Sequence, residues 1–330
     1  MPQIQNNYKK AEKYIAAIVG ALARDTVLPM TFTRYDGRGF VGAQNDTVTV
    51  KLPGVTVARD YEWRTRNNPI VLDLIGRTHV DIKLNQHTTS AVPITDEEDT
   101  LDLTDYATEI LTPQANAMVE KLERKTLAGL LAAPFKHVGG PIDAAEEDDP
   151  FKYALKVGGL LDQDGVPGTG RRIVAGSNAY AWFVESAALQ KSDPAAATTA
   201  YRQAVPGRLA NFDIVNGGRF VDPNAIYPVH STALILANLA PSIQPGVVWA
   251  VRRAYKGYSM RLVRDYDQPF ARGRSLLSTF TGVNSVNDEY TYDADGYFVL
   301  DADGNPVITG KNVRGARGTF TPTPPPAPTP

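Results

Sequence analysis

The chain has 330 residues, of which 43% are hydrophobic and 21% charged, and its formal net charge is −2. This composition is typical of a globular protein with a large core, and the near-neutral charge disfavours nucleic-acid binding through a global basic field. The absence of cysteine excludes disulfides, thiolate catalysis and cysteine zinc sites, and it fits a reducing compartment.

The first predicted element is an amphipathic helix over residues 7–24, where apolar residues recur at helical spacing. Lysines ahead of an apolar stretch are also typical of a signal peptide. Glu12 and Lys13, however, interrupt the run, and no stretch of about eighteen apolar residues occurs. We therefore expect a packed helix, without an export signal or a membrane span.

Two strands with alternating apolar and polar residues flank an unusually long connection. They cover residues 47–52 and 79–84, and Val80 and Ile82 share one face of the second strand. The 55–78 segment between them is rich in Arg, Tyr and Trp, as protein interfaces are. Because connections this long are uncommon inside a compact domain, we expect 55–78 to contact a partner.

The longest helical region follows an acidic stretch at residues 95–100. Apolar residues keep helical spacing from 103 to 111, and a second helix is predicted at Pro113, with Thr112 as its cap. It continues to about Pro134, long enough for a spine of roughly 30 Å. The acidic stretch could hold a cation, but contiguous carboxylates more often form a solvated face or a helix start.

An α/β block of about a hundred residues is predicted next. Asp149 and Pro150 begin a helix over 151–161, because aspartate caps helices and proline suits their first turn. The other expected elements are a strand at 172–175, a helix at 178–188 capped by Ser177, and strands at 212–215 and 233–239.

The remainder is predicted to be mainly strands. Residues 258–266 and 274–283 are the clearest, joined by a turn. Two Asp-Gly pairs, at 295–296 and 303–304, each predict a hairpin turn. Calcium binding is the alternative, but a third alternating carboxylate and a distal glutamate are missing. Residues 319–330 are predicted to be a disordered Thr/Pro tail.

No pattern typical of an active site occurs. The four histidines are scattered singly, without the spacing of metal ligands. Residues 168–170 lack the Lys-Ser/Thr of a phosphate loop, and Ser177 lacks a nucleophile elbow. We expect no catalytic residue, no metal and no cofactor.

The order of these segments resembles the Hong Kong-type major capsid protein of tailed bacteriophages, in the branch with a Salmonella-phage-like coat protein. The resemblance covers roughly residues 8–290 and rests on the joint order of several phrases. These are FVGAQNDTVTV at 40–50, ITDEE at 94–98, PGRLANFDIV at 206–215, LVRDYD at 262–267 and TGVNSV at 281–286.

The resemblance implies an α+β Hong Kong-type capsid fold with five parts. They are an N-terminal arm and helix (1–39), an extended β-hairpin loop with flanking strands that lies across a neighbouring subunit (40–95), a peripheral domain with the spine helix and a β-sheet (96–150 and 249–290), an α/β axial domain (151–248), and a C-terminal hairpin extension with a Thr/Pro tail (291–330).

The resemblance also implies a structural protein, not an enzyme, that self-assembles into hexamers and pentamers. These would form the icosahedral head around phage double-stranded DNA, assembled in the bacterial host cytoplasm and retained in the virion. The implied partners are further copies, a portal protein, a decoration protein and DNA contacted non-specifically, with no membrane. Because no charged coiled coil precedes the first helix, we expect a separate scaffolding protein.

Six residues of the long connection are the candidates for contacts between subunits. Hydrogen bonds and ion pairs can be remade when one chain occupies several quasi-equivalent positions, as such a shell requires. The six are Arg59, Asp60, Glu62, Trp63, Arg64 and Arg66.

Two other functions stay open at this point. An encapsulin-like compartment shell shares the fold but encloses enzymes. A β-rich phage surface protein, such as a glycan-binding module, is favoured by the aromatic residues beside the Asp-Gly hairpins: Tyr290, Tyr292, Tyr297 and Phe298.

Overall fold

The computed structural model describes residues 28–36, 46–51, 58, 60–61, 63–64, 79–97, 106–145, 149–185, 208–247, 249–255, 258–294, 298–301 and 306–322. Its strands, in chain order, are β1 (Thr33–Asp36), β2 (Thr47–Lys51), β3 (His79–Lys83), β4 (Gln86–Thr95), β5 (Phe135–Val138), β6 (Ala144–Ala145), β7 (Arg171–Ala175), β8 (Arg208–Leu209), β9 (Phe212–Asn216), β10 (Ala225–His230), β11 (Leu234–Leu239), β12 (Trp249–Tyr255), β13 (Tyr258–Asp267), β14 (Arg272–Ser285) and β15 (Asn312–Thr321).

Three longer helices accompany these strands: α1 (Thr112–Ala132), α2 (Pro150–Gln163) and α3 (Ser177–Val184). A π-helical segment, Ala107–Leu111, leads directly into α1, and a single helical turn, Leu28–Thr31, precedes β1. In the part of the chain that the structure describes, no helix has the length and apolar character needed to cross a bilayer. The helix predicted at 7–24 lies outside the described residues.

The first sheet has six strands arranged around β14. The order is β1-β11-β14-β13-β12, and β4 also pairs with β14. β14 is antiparallel to β4, β11 and β13, whereas β1 is parallel to β11. The two strands expected at 258–266 and 274–283 are therefore confirmed as the adjacent β13 and β14, joined by the short 3₁₀ turn Gln268–Phe270.

The second sheet has the order β5-β15-β10-β7-β9-β8, with β6 pairing with β15. Alternate residues of its strands face different cores, because successive side chains of a strand point to opposite sides. Ile173 and Ala175 pack with α2 and α3, whereas Val174 between them packs in the cluster that contains α1. The sheet is therefore covered on both faces.

The helix α1 packs against both sheets through one buried cluster. The helix contributes Met118, Leu122 and Leu130, and strands of the two sheets contribute Leu277 and Tyr227. The predicted spine helix ending near Pro134 is thus confirmed as an element, and its burial follows from apolar residues at helical spacing. In this layered arrangement, α1 joins the two sheets.

The helix termini confirm one predicted cap and correct two others. The Asp149 side chain accepts a hydrogen bond from the Phe151 N–H at 3.1 Å and caps α2, as predicted. Gly176 occupies the N-cap of α3, and Ser177 is already helical, so the predicted Ser177 cap is wrong. Thr112 does not cap α1 either, because the preceding π-helical turn supplies helical backbone up to Leu111.

The strand β15 corrects the C-terminal prediction. Residues 319–321 belong to this strand and not to a disordered tail, and β15 lies inside the second sheet between β5 and β10. Glycine permits the close packing there: a Cβ on Gly318 would lie 2.1 Å from the Ile142 carbonyl oxygen. Residues 323–330 lie outside the described residues.

Strand membership also differs from the expected 151–248 block. β11, at the end of that range, belongs to the first sheet, because it pairs with β14 and β1. The second sheet instead recruits β5, β6 and β15 from outside the range. Pairing partners this distant in sequence are set by the tertiary fold, and strand alternation alone carries no information about them.

The described residues between 289 and 309 form a small antiparallel meander. Tyr292 bridges to Phe298, and Leu300 bridges to Pro306, so antiparallel pairing flanks both predicted Asp-Gly turns. The two turns themselves lie mostly outside the described residues. Lys136 joins the meander to the rest of the fold, because its ammonium group contacts Asp164 at 2.7 Å and Glu289 at 3.1 Å.

Replacing Leu130 with Ala should destabilise the protein by about 2–5 kcal/mol, since the change opens a cavity between α1 and the sheets. The neighbouring Leu131, which is 44% exposed, provides the matched control, and Leu131→Ala should change stability by less than about 0.5 kcal/mol. Urea unfolding followed by circular dichroism measures both. Equal losses in the two variants would contradict the burial of α1.

The Glu289 carboxyl should make stability depend on acid pH. A hydrogen bond from Thr309 and then the nearby Lys136 ammonium hold its pKa below the ordinary 4.5. The stabilisation is therefore complete above pH 4.5 and is lost as the pH falls through the lower folded-state pKa. In thermal unfolding, the Glu289→Gln variant should lose less stability below pH 4.5 than the unchanged chain loses. Identical profiles for Glu289→Gln and the unchanged chain would refute the contribution.

Candidate functional site

The strands β2 and β3 form the root of the long connection. They pair antiparallel, with Lys51 opposite His79, so the chain leaves and re-enters this ribbon at the same end. Val80 and Ile82 are buried against Ile235 and Ala237 of β11, as the predicted alternation of β3 requires. The exposed residues of β3 lie on its other face.

A close backbone contact fixes this root to the first sheet. A Cβ placed on Gly282 of β14 would lie 2.2 Å from the Lys83 carbonyl oxygen, a distance that no side chain could occupy. Next to it, the Asn284 side-chain amide donates a hydrogen bond to the Asp81 carbonyl at 2.5 Å. The glycine is therefore required for the two strands to approach.

The structure describes three of the six predicted contact residues, and all three are exposed: Asp60, Trp63 and Arg64. Trp63 is 67% exposed, and the Arg64 guanidinium lies 5.0 Å from its ring centroid. Arg59, Glu62 and Arg66 lie outside the described residues, as does most of the 55–78 connection. An exposed Trp stacked by Arg has the composition of an interface hot spot without a partner in place.

A second exposed surface lies at the tip of β13 and β14, where the sequence predicts only a turn. Phe270 is 67% exposed, and the Arg272 guanidinium lies 4.7 Å from its ring. Below it, Arg274 contacts Asp265 at 2.7 Å and holds the pKa of that carboxyl below its usual range. The sequence feature that could have indicated this surface is Phe270 itself, an aromatic residue directly after Pro269 in a turn.

The candidate chemical groups do not converge on a reaction site. Residues 168–170 form a turn, in which the Gly170 carbonyl accepts from the Ser231 N–H and the Thr169 carbonyl contacts the His230 ring. His137 lies 2.7 Å from Asp164, whereas His79 and His87 are exposed on strands. Within the described ranges, no three His, Asp or Glu side chains are grouped to hold a metal ion.

Comparison with solved structures identifies the architecture. A structure from Mycobacterium phage Che8 aligns over 89% of this chain and 90% of its own, with a TM-score of 0.59 and 15% identity. The capsid structure of Cyanophage P-SCSP1u aligns over 90% and 88%, with a TM-score of 0.59 and 9% identity. The mature capsid of bacteriophage PhiM1 aligns over 91% and 88%, with a TM-score of 0.56 and 11% identity.

This chain has the Hong Kong-type phage capsid fold. The predicted fold class is therefore confirmed, since each of these alignments covers about nine-tenths of this chain. No family model and no curated protein sequence matches the chain. The Salmonella-phage-like branch stays a prediction. Trp63 and Phe270, each beside an arginine, are the exposed aromatic surfaces described above.

Replacing Gly282 with Ala should displace β3 from β14, because the added methyl group collides with backbone atoms that cannot rotate away. We expect a loss of about 1–3 kcal/mol in unfolding free energy, the usual result of overpacking. Gly273→Ala, in the same strand, is the control, since its nearest atom outside the adjoining residues would lie 3.6 Å away. Urea titration measures both variants; a neutral Gly282→Ala would show that the root is not held by this contact.

Proposed function

We propose that the chain is the major capsid protein of a tailed bacteriophage, assembling into hexamers and pentamers that form an icosahedral head around double-stranded DNA. The observation that carries the proposal is the likeness to the P-SCSP1u and PhiM1 capsid structures across about nine-tenths of both chains. A shared fold alone leaves function open, so the exposed surfaces supply the second argument.

The surface chemistry supports self-association. The described part of the long connection presents Trp63 and Arg64, and the β13–β14 turn presents Phe270 and Arg272. Aromatic residues and arginine are enriched at the energetic centres of interfaces, and arginine can exchange hydrogen-bond partners as the geometry changes. These properties suit a chain that must make similar contacts at several quasi-equivalent positions.

The proposed roles of the five parts follow the resemblance, with two adjustments. Residues 1–39 act as an arm and 40–95 as a loop across a neighbour, although 28–36 also pack into the described body through Leu28 and β1. The ranges 96–150 with 249–290 act as the peripheral domain, and 151–248 as the axial domain. Within 291–330, β15 completes the second sheet, and the meander forms the exposed extension.

The proposal includes a structural protein without catalytic activity, cofactor or metal. Its partners are copies of itself, a separate scaffolding protein, a portal protein and a decoration protein, and the mature location is the virion capsid. The formal charge of −2 supports a lining that contacts packaged DNA non-specifically without gripping it. A glycan-binding module is disfavoured, because the likeness to phage structures extends over 89% of the chain and not only over the aromatic meander.

Deleting residues 60–68 should leave a folded chain that forms no closed shells, because the loop tip and its Trp63 anchor are lost while β2 and β3 remain. Circular dichroism reports the fold, and negative-stain microscopy with sedimentation reports the shells. Normal particles from the deletion chain would refute the loop assignment.

The point variant Trp63→Ala should reduce shell yield about tenfold or more, the effect of losing one interface hot spot of about 2 kcal/mol. Tyr292→Ala is the matched control: Tyr292 is also an exposed aromatic residue, at 56%, but lies in the proposed extension. Its shell yield should stay within about twofold of the unchanged chain, since a change below about 0.5 kcal/mol is normal for a surface site. Equal shell yields from both variants would show that Trp63 does not contribute to the interface.

A further inference from the structure

One edge of β4 is left uncovered by the described strands. Its other edge pairs with β14 along its whole length, from Gln86 to Thr95. A strand edge presents backbone N–H and C=O groups to which another chain can add a strand, unless charge or proline blocks it. β4 contains no Lys, Arg, Asp or Glu, and Pro93 lies near its end. Residues 86–92 can therefore accept a partner strand.

A groove beside this edge provides room for the partner. It has a volume of about 590 Å³ and lies between β4 and α1, whose Met118 and Lys121 line one wall. The Gln86 side-chain oxygen is buried there without a hydrogen-bond partner among the described residues. A strand added along the edge would bring N–H donors to this region, which a purely apolar partner could not do.

The two ends of β4 carry opposite charge. At the N-terminal end, Lys125 donates to the Asn85 side chain at 3.2 Å, and Lys121 lies one helical turn away. Burial and then repulsion from the neighbouring Lys121 lower the pKa of Lys125, and the two lysines together place positive charge at this end. At the C-terminal end, the exposed Asp96 and Glu97 follow the strand directly. Because a strand rises about 3.3 Å per residue, the two ends of β4 are about 30 Å apart and form separate centres of charge.

We propose that β4 pairs antiparallel with β4 of a second copy, across a two-fold axis near residues 89–91. Antiparallel pairing about such an axis places the C-terminal end of each strand beside the N-terminal end of the other. Asp96 and Glu97 of each copy then lie beside Lys121 and Lys125 of its partner, twice per contact. The inference rests on the proposed self-assembly and supplies one of its interfaces.

The opposite edge of the first sheet shows why β4 is selected. The edge strand β12 carries Arg252 and Arg253 at its centre, and no carboxylate among the described residues pairs with them. Antiparallel self-pairing of β12 would bring these arginines together from both copies, and like charges opposite each other destabilise a strand pair. β12 is therefore an edge protected by charge, whereas β4 is complementary to itself.

A charge exchange tests the pairing. Lys121→Glu alone and Glu97→Lys alone should each lower the fraction of chains recovered in particles about fivefold or more, because each change places like charges at both ends of the contact. The double variant should recover to within about twofold, since it restores opposite charges. Lys156→Glu, an exposed lysine on α2, is the control and should leave the yield unchanged. Loss with Lys121→Glu but no rescue in the double variant would indicate an acidic partner other than a second copy and overturn the proposal.

Thiol crosslinking tests the position directly, because the chain contains no cysteine. Single Thr89→Cys, Ser90→Cys and Ala91→Cys chains should yield chain dimers with a short bis-maleimide, whereas an exposed Asp213→Cys on β9 should not. Particles formed by these cysteine chains without any chain dimers would overturn the β4 contact but leave the proposed function intact. If the unchanged chain forms no particles, the proposed function fails. In that case, crosslinking of the concentrated, unassembled cysteine chains decides the β4 contact by the presence or absence of dimers.

Discussion

The contact between the Lys83 carbonyl and Gly282 determines how the long connection can be used. A backbone approach this close admits only glycine, and it locks β3 onto β14 while Val80 and Ile82 fill the space against β11. The described residues between β2 and β3, which include Trp63 and Arg64, are exposed and lie outside the described cores. A segment rich in Trp and Arg can then serve contacts between copies.

The layered core separates the residues that stabilise the subunit from the exposed residues that are available for contacts between copies. α1 is buried between the two sheets, and α2 and α3 cover the far face of the second sheet, so folding energy comes from elements distinct from the exposed tips. Trp63 and Phe270 can therefore change without opening a cavity. In a shell built from one chain, such independence lets the interfaces adjust while the subunit keeps its shape.

Local patterns in the sequence predicted the elements that depend on near neighbours. The alternation of Val80 and Ile82 predicted a half-buried strand, and Asp149 before Pro150 predicted the start of α2. Apart from the helix caps predicted at Thr112 and Ser177, the failures involved partners far along the chain. β15 has glycines that suggest a loop, yet Gly318 is needed because Ile142 packs against it, and nothing local to residues 312–321 records that contact.

The candidate surfaces were predictable to a different extent. Composition alone indicated Trp63 and Arg64, since aromatic residues and arginine are enriched at protein interfaces. Phe270 and the β4 edge required the fold, because exposure and strand pairing follow from the sheet order. The most direct measurement is a cryo-electron microscopy map of the purified, unchanged chain. Self-assembly predicts closed shells in which density from the β2–β3 root continues onto an adjacent copy. A map of isolated chains, with that density folded back onto their own first sheet, would contradict it.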